Sequence, residues 1–157
     1  MSQVQLNQTV PDFTAAATGD QTVRLSALRG HPVVLYFYPK DDTPGCTTEG
    51  QDFRDHYAAF QALDAFIFGV SRDDLKSHEK FRTKHGFPFD LLADTDETLC
   101  QLFGVMKLKN RYGKQVMGVE RSTFLIDRQG ILRHEWRNVK VPGHVAEVLA
   151  AVQELDE

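Results

Sequence analysis

The chain has 157 residues, 41% hydrophobic and 25% charged, with 18 Lys and Arg against 22 Asp and Glu, for a formal net charge of −4. That is the profile of one globular domain over 1–157, which buries roughly 68–70% of its unfolded surface without disulfide staples. Two cysteines exclude a disulfide-rich secreted scaffold, the absence of a Lys/Arg stripe excludes a nucleic-acid footprint, and the longest apolar run, Val33 to Tyr38, is far too short to span a bilayer.

No basic and apolar leader opens the chain, so a cytoplasmic protein is expected. In chain order, Thr9 to Leu25, with Phe13 and Val23 around Thr18-Gly19-Asp20, predicts an N-terminal β-hairpin. Val33-Val34-Leu35-Tyr36-Phe37-Tyr38, ended by Pro39, reads as a central strand buried on both faces. From Thr47 to about Leu63, Phe53, Tyr57, Phe60 and Leu63 recur at helical spacing. A second buried strand follows at Ala65 to Val70, then a polar helix opened by Ser71-Arg72-Asp73-Asp74 and closed by His85 and Gly86. Phe89 to Ala93 is a short strand, and Asp94 with Glu97 suggests a capping box for a brief helix ended by Gly104. A Lys-rich loop leads to a hairpin, Ser122 to Ile126 and Ile131 to Trp136 about Asp127-Arg128-Gln129-Gly130, and a last helix runs from about His144 to Leu155. The alternation predicts an α/β domain whose mixed sheet is covered on both faces.

The informative stretch runs from Tyr36 to Gly50, where a buried strand passes through a Pro-rich turn into a helix whose first turn holds Cys46. Ligands of open α/β sheets bind beyond the carboxyl ends of strands, and a helix N-terminus there favours an anion. A free cysteine with a pKa of about 8.5 is only about 3% ionised at pH 7, whereas a pKa of about 6 makes roughly 90% thiolate. Composition alone leaves Cys46 equally readable as a small core hydrophobe. Its neighbours shift the reading, because Pro39, Thr43 and Cys46 form P-x-x-x-T-x-x-C and put a hydroxyl about one helical turn before the sulfur. There is no C-x-x-C pair and no Cys/His cluster of zinc type.

Tyr-Pro-Lys-Asp-Asp-Thr-Pro-Gly-Cys-Thr-Thr-Glu-Gly resembles the active-site loop of the peroxiredoxins, specifically the Q type, also called bacterioferritin comigratory proteins. The resemblance extends over nearly the whole chain, through Pro11-Asp12-Phe13, Gly69-Val70-Ser71, Phe103-Gly104-Val105, Tyr112-Gly113-Lys114 and Glu120 to Asp127. It implies a thioredoxin fold and reduction of hydrogen peroxide or organic hydroperoxides with neither metal nor organic cofactor. It also implies that Cys46 is the peroxidatic nucleophile, that Thr43 and Arg121 activate it, and that Pro39 shields the pocket. Arg121 suits that role because a guanidinium stays charged and donates to sulfur and peroxide together, although the residues alone fit a surface pair with Glu120. Glu49 reads either as a partner that orients Arg121 or as a solvated acid of the first turn.

The sequence departs from the family over the second thiol. One branch has its resolving cysteine five residues after the peroxidatic one, here Gln51, and another has it in the next helix, where Arg82 stands. Cys100 remains, flanked by Leu99 and Leu102, and reads as core filler. A one-cysteine cycle is therefore expected, with thioredoxin, glutaredoxin or a small thiol attacking the sulfur of Cys46, and a Cys46–Cys100 disulfide as runner-up. The resemblance also implies a monomer. A redox sensor using the same cysteine with little turnover, or an unreactive scaffold, are the readings from other classes. His78 and His85, seven apart on a polar helix, read as a solvated face. Phe37, Tyr38, Phe87 and Trp136 read as core rather than pocket, and the basic segment Lys107 to Tyr112 as a solvated loop.

Overall fold

The run Val33-Val34-Leu35-Tyr36-Phe37 is buried at every position, as a strand paired on both edges and covered on both faces must be. It is β3 of a computed structural model that describes residues 3–155. Before it lie β1 (Thr14–Ala17) and β2 (Gln21–Arg24); after it come α1 (Pro44–Asp55), α2 (Tyr57–Ala62), β4 (Phe66–Ser71), α3 (Leu75–His85), β5 (Asp90–Ala93) and α4 (Thr98–Leu102). The chain continues through β6 (Met106–Arg111), β7 (Lys114–Val119), β8 (Ser122–Ile126), β9 (Leu132–Trp136) and α5 (His144–Leu155).

Seven strands form one mixed sheet in the order β2-β1-β5-β4-β3-β8-β9. β3 runs parallel to β4 and antiparallel to β8, so Leu35 lies between Phe68 and Phe124. β4 is parallel to β5, and the predicted N-terminal hairpin extends the sheet as β1 pairs antiparallel with β5. Alternation along β3 sends Val33, Leu35 and Phe37 into one core, with Leu99, Cys100 and Phe103 from α4 and its flank. Val34, Tyr36 and Tyr38 enter the other, with Cys46 and Phe53 of α1, Phe60, Phe81, and Val145, Val148 and Val152 of α5. The two cysteines thus lie on opposite faces of the sheet.

The sequence expectations hold for both buried strands, the Asp127–Gly130 hairpin, the last helix and the polar helix. Asp74 caps that helix by accepting from Ser77 N at 2.9 Å, and Gly86 closes it with φ of 64°. Four details differ. The helix expected from Thr47 to Leu63 begins at Pro44 and divides at His56, whose Nδ1 lies 2.8 Å from the Asp52 carbonyl oxygen. The Asp94–Glu97 capping box does not close: Asp94 alone accepts from Leu99 N and Cys100 N, while Glu97, at φ 63°, pairs with Arg72. The Lys-rich loop is instead a two-stranded ribbon, β6 and β7, turned by Tyr112 and Gly113, both at positive φ. His78, expected on a solvated face, is fully buried among hydrogen-bonding partners.

Candidate active site

Pro44 starts α1 as its first residue, a position where the missing N–H costs nothing and the fixed φ is already helical. Thr43 precedes it in extended conformation, φ −97° and ψ 156°, with no side-chain cap on the helix. Its Oγ1 instead donates to the Lys40 carbonyl at 2.9 Å, leaving the oxygen lone pairs able to accept. Cys46 falls in the first turn, where backbone N–H groups lack helical acceptors, and its residue is 2% exposed.

Arg121 reaches this sulfur from just before β8, with Nη2 at 3.3 Å from Cys46 Sγ. Its Nη1 donates to Glu49 Oε1 at 2.7 Å, one turn along α1 from the cysteine. Glu120 is not its partner. Gly45 makes the approach feasible, since a Cβ there would lie 3.1 Å from Arg121 Nη2. Glu49 is fully buried, and among the described residues its Oε2 has no hydrogen-bond partner. Burial pushes its carboxyl up to about 7, against the pull of the Arg121 guanidinium beside it. Arg121 is held above its ordinary value by Glu49 and Cys46, which outweigh its own desolvation.

Above the sulfur lies a cavity of about 420 Å³, lined by Pro39, Thr43, Cys46 and Arg121 and closed by the ribbon through Lys109, Arg111, Val116 and Met117. Lys40, Arg72, Lys109, Arg111 and Arg121 line it with no carboxylate. Burial, then Arg111 and Arg121, lower the Lys109 ammonium. Such a wall stabilises an anionic sulfur and an oxygen that gains negative charge. Sequence reasoning missed the ribbon as part of the site; the signal was the two-residue turn Tyr112-Gly113 after a basic segment. A larger hollow of about 530 Å³ between Asp127, Arg133 and Glu154 is lined by no cysteine.

The structure therefore brings Pro39, Thr43, Cys46, Glu49 and Arg121 together and leaves Cys100 apart. Phe37, Tyr38, Phe87 and Trp136 do not line the cavity: Phe37 packs on Phe103 and Phe124, Phe87 on Phe81 and Phe89. Cys100 is buried, and desolvation with Asp94 beside it pushes its thiol far up. Among the described residues no helix is long and apolar enough to cross a membrane.

A mixed sheet flanked by helices, with a cysteine in the first turn after a strand and an arginine against its sulfur, defines a thioredoxin-fold protein of the peroxiredoxin class. The chain belongs to the AhpC/TSA family, whose model matches residues 6–135. It is 51% identical over 154 residues to peroxiredoxin Bcp of Bacillus subtilis, covering 98% of each chain. It is 52% identical to peroxiredoxin Bcp of Xanthomonas campestris over 142 residues, 90% of this chain and 89% of the relative. A solved structure of the Xanthomonas campestris bacterioferritin comigratory protein, described for its alkyl peroxide reduction activity, superposes with a TM-score of 0.91 at 47% identity, covering all of both chains.

Proposed function

We propose that this chain is a one-cysteine thiol peroxidase that reduces hydrogen peroxide and organic hydroperoxides. The observation that carries the reading is the Cys46 sulfur in the first turn of α1 with Arg121 Nη2 at 3.3 Å. The thiolate of Cys46 attacks one oxygen of R–O–O–H, an S–O bond forms as the O–O bond breaks, and RO⁻ leaves to take up a proton. Sulfur is oxidised to a sulfenic acid and the hydroperoxide is reduced to an alcohol, or to water when R is hydrogen. Negative charge moves from sulfur to the departing oxygen, along a path bordered by Arg121 and the free first-turn N–H groups. Thr43 Oγ1, its own proton engaged by the Lys40 carbonyl, accepts a hydrogen bond from the hydroperoxide O–H, which stays on the oxygen transferred to sulfur, and Pro39 excludes water from the same wall.

An external thiol then attacks the sulfenic sulfur, expelling water, and a second equivalent releases Cys46 reduced. A small thiol, glutaredoxin or thioredoxin fills this role chemically. The one-cysteine form is supported by Gln51 and Arg82 at the two positions where family branches carry a resolving sulfur, with Arg82 pairing Asp90. Cys100 lies across the sheet from Cys46, and its thiol is held protonated. The same reading makes the protein a single-domain, cytoplasmic monomer active in antioxidant defence. Intact mass after one equivalent of hydrogen peroxide, with and without a sulfenic-acid trap, tests it: gain of one oxygen, or of the trap, at Cys46 is expected. Loss of two hydrogens would make Cys100 the resolving residue, and no rapid change would remove the peroxidase reading. Sustained turnover with a thiol separates the peroxidase from a redox sensor.

A further inference from the structure

The loop between β3 and α1 carries a second set of side chains that the chemistry at Cys46 does not use. Asp41, midway between Pro39 and Thr43, is 8% exposed. Its Oδ1 accepts from the Tyr38 hydroxyl at 2.6 Å, and its Oδ2 accepts from Ser77 Oγ at 2.7 Å and meets His78 Nδ1 at 2.7 Å. His78 is fully buried on α3, and its Nε2 faces the Leu92 carbonyl oxygen of β5 at 2.8 Å. A ring bearing N–H on both nitrogens satisfies both acceptors. The backbone N–H of Asp41 donates to Asp73 Oδ2 at 2.9 Å, which also accepts from Ser71 Oγ at 2.6 Å. A weaker, exposed tie joins the next loop residue to the same helix, Lys84 Nζ lying 2.8 Å from Asp42 Oδ2.

A buried His–carboxylate pair is a poor source of net stability, because desolvation offsets the attraction; what it confers best is one defined geometry. The residue so defined lies two positions from Pro39 and two from Thr43, both of which line the cavity over Cys46. We propose that His78 is a positioning residue for the peroxide step, holding Pro39 and Thr43 in register with the sulfur through Asp41. This rests on the reading of Cys46 as the reacting sulfur. The contact to Asp41 places the loop, while the contact to Leu92 only satisfies the ring.

The two nitrogens are separable by substitution. His78→Asn keeps a donor near Nδ1, toward Asp41, and His78→Gln keeps one near Nε2, toward Leu92. Each variant loses one hydrogen bond and part of a ring, so a merely structural role slows both equally. The expected result is that His78→Gln slows oxidation of Cys46 by hydrogen peroxide about tenfold, less than the ~10²-fold of a 1 Å misplacement, while His78→Asn stays within about twofold of the parent. Amide hydrogen exchange over residues 39–46 should quicken in His78→Gln alone, with α5 unchanged in both. Equal slowing in the two variants, or none in either, overturns the proposal. If His78→Gln does not fold, Asp41→Asn, which keeps size and shape, carries the same comparison with the parent. If Cys46 of the parent does not react with peroxide, the functional reading fails and the exchange comparison alone decides the loop's anchor.

Discussion

Cys46 and Cys100 are both buried thiols, each the third residue of its helix, yet the groups set against them are opposite in sign. At Cys46 the nearest charge is a cation: Arg121 touches the sulfur, and the carboxylate of Glu49 stands behind the guanidinium. At Cys100 the order is reversed, with Asp94 against the residue through its backbone N–H at 2.8 Å and through its thiol, and Arg72 acting only at a distance. One side opens on a cationic cavity, whereas the other faces Leu99 and Phe103 in the opposite core. Burial thus does not separate the two cysteines; the sign of the group in contact with each does, and a cation favours a thiolate where a carboxylate opposes one.

The largest effect that tests this contrast is removal of the sulfur. Cys46→Ser should abolish peroxide consumption with any thiol reductant, followed by coupled absorbance assays, while Cys100→Ser should leave the rate essentially unchanged. Loss of turnover in Cys100→Ser with a normal first oxidation would restore the disulfide cycle. Next in size is the cation. Arg121→Ala should lower the second-order rate of Cys46 oxidation by about 10²–10³-fold, the usual cost of removing one donor aimed at developing charge. Arg121→Lys should recover little, because an ammonium cannot donate to sulfur and to Glu49 Oε1 in one plane. An unchanged rate in stopped-flow fluorescence of Trp136 would put Arg121 outside the chemistry.

The contrast was only partly legible in sequence. Pro39, Thr43 and Cys46 lie within one loop and helix turn, so local spacing exposes them; Arg121 meets Cys46 across 75 residues, and only the family resemblance singled it out. The central strand was readable because Val33 to Phe37 is apolar without interruption, which burial on both faces requires. The ribbon was not, since β6 and β7 are mostly exposed and the alternation of Met106 and Leu108 with Lys107 and Lys109 stops after four residues, too short a pattern among lysines to mark a strand. His78 was misread for a related reason: its helix looks polar, and the carboxylate that justifies its burial lies 37 residues earlier. Buried polar groups are defined by distant partners, and a periodicity argument sees only near ones.

A third effect is confined to stability. Cys100→Ala removes a small buried group whose main contacts are apolar, and should cost about 1 kcal/mol in urea unfolding with the peroxide rate intact. A large drop in rate at unchanged fold would mean that the two faces of the sheet communicate.

The smallest expected effect in the parent protein is a pH dependence in which two groups near Arg121 oppose each other. Burial raises Glu49 from 4.5 to about 7, so its contribution to stability is fully present below 4.5 and lost as pH rises through about 7. Burial, aided by Arg121, lowers His144 from 6.5 to about 4, so its contribution is present above 6.5 and lost as pH falls through about 4. Between pH 4.5 and 6.5 the two slopes have opposite sign and largely offset. Glu49→Gln, which keeps an oxygen for Arg121, should unmask the His144 slope and make stability rise with pH over that interval. His144→Gln, retaining a partner for Thr123 Oγ1, should do the reverse, and urea midpoints at three pH values read both. Parallel profiles in the parent and Glu49→Gln would mean that Glu49 stays ionised throughout. Arg121 would then face Cys46 with its charge already matched by a full carboxylate, a weaker activator of sulfur than a cation whose partner takes up a proton near neutrality.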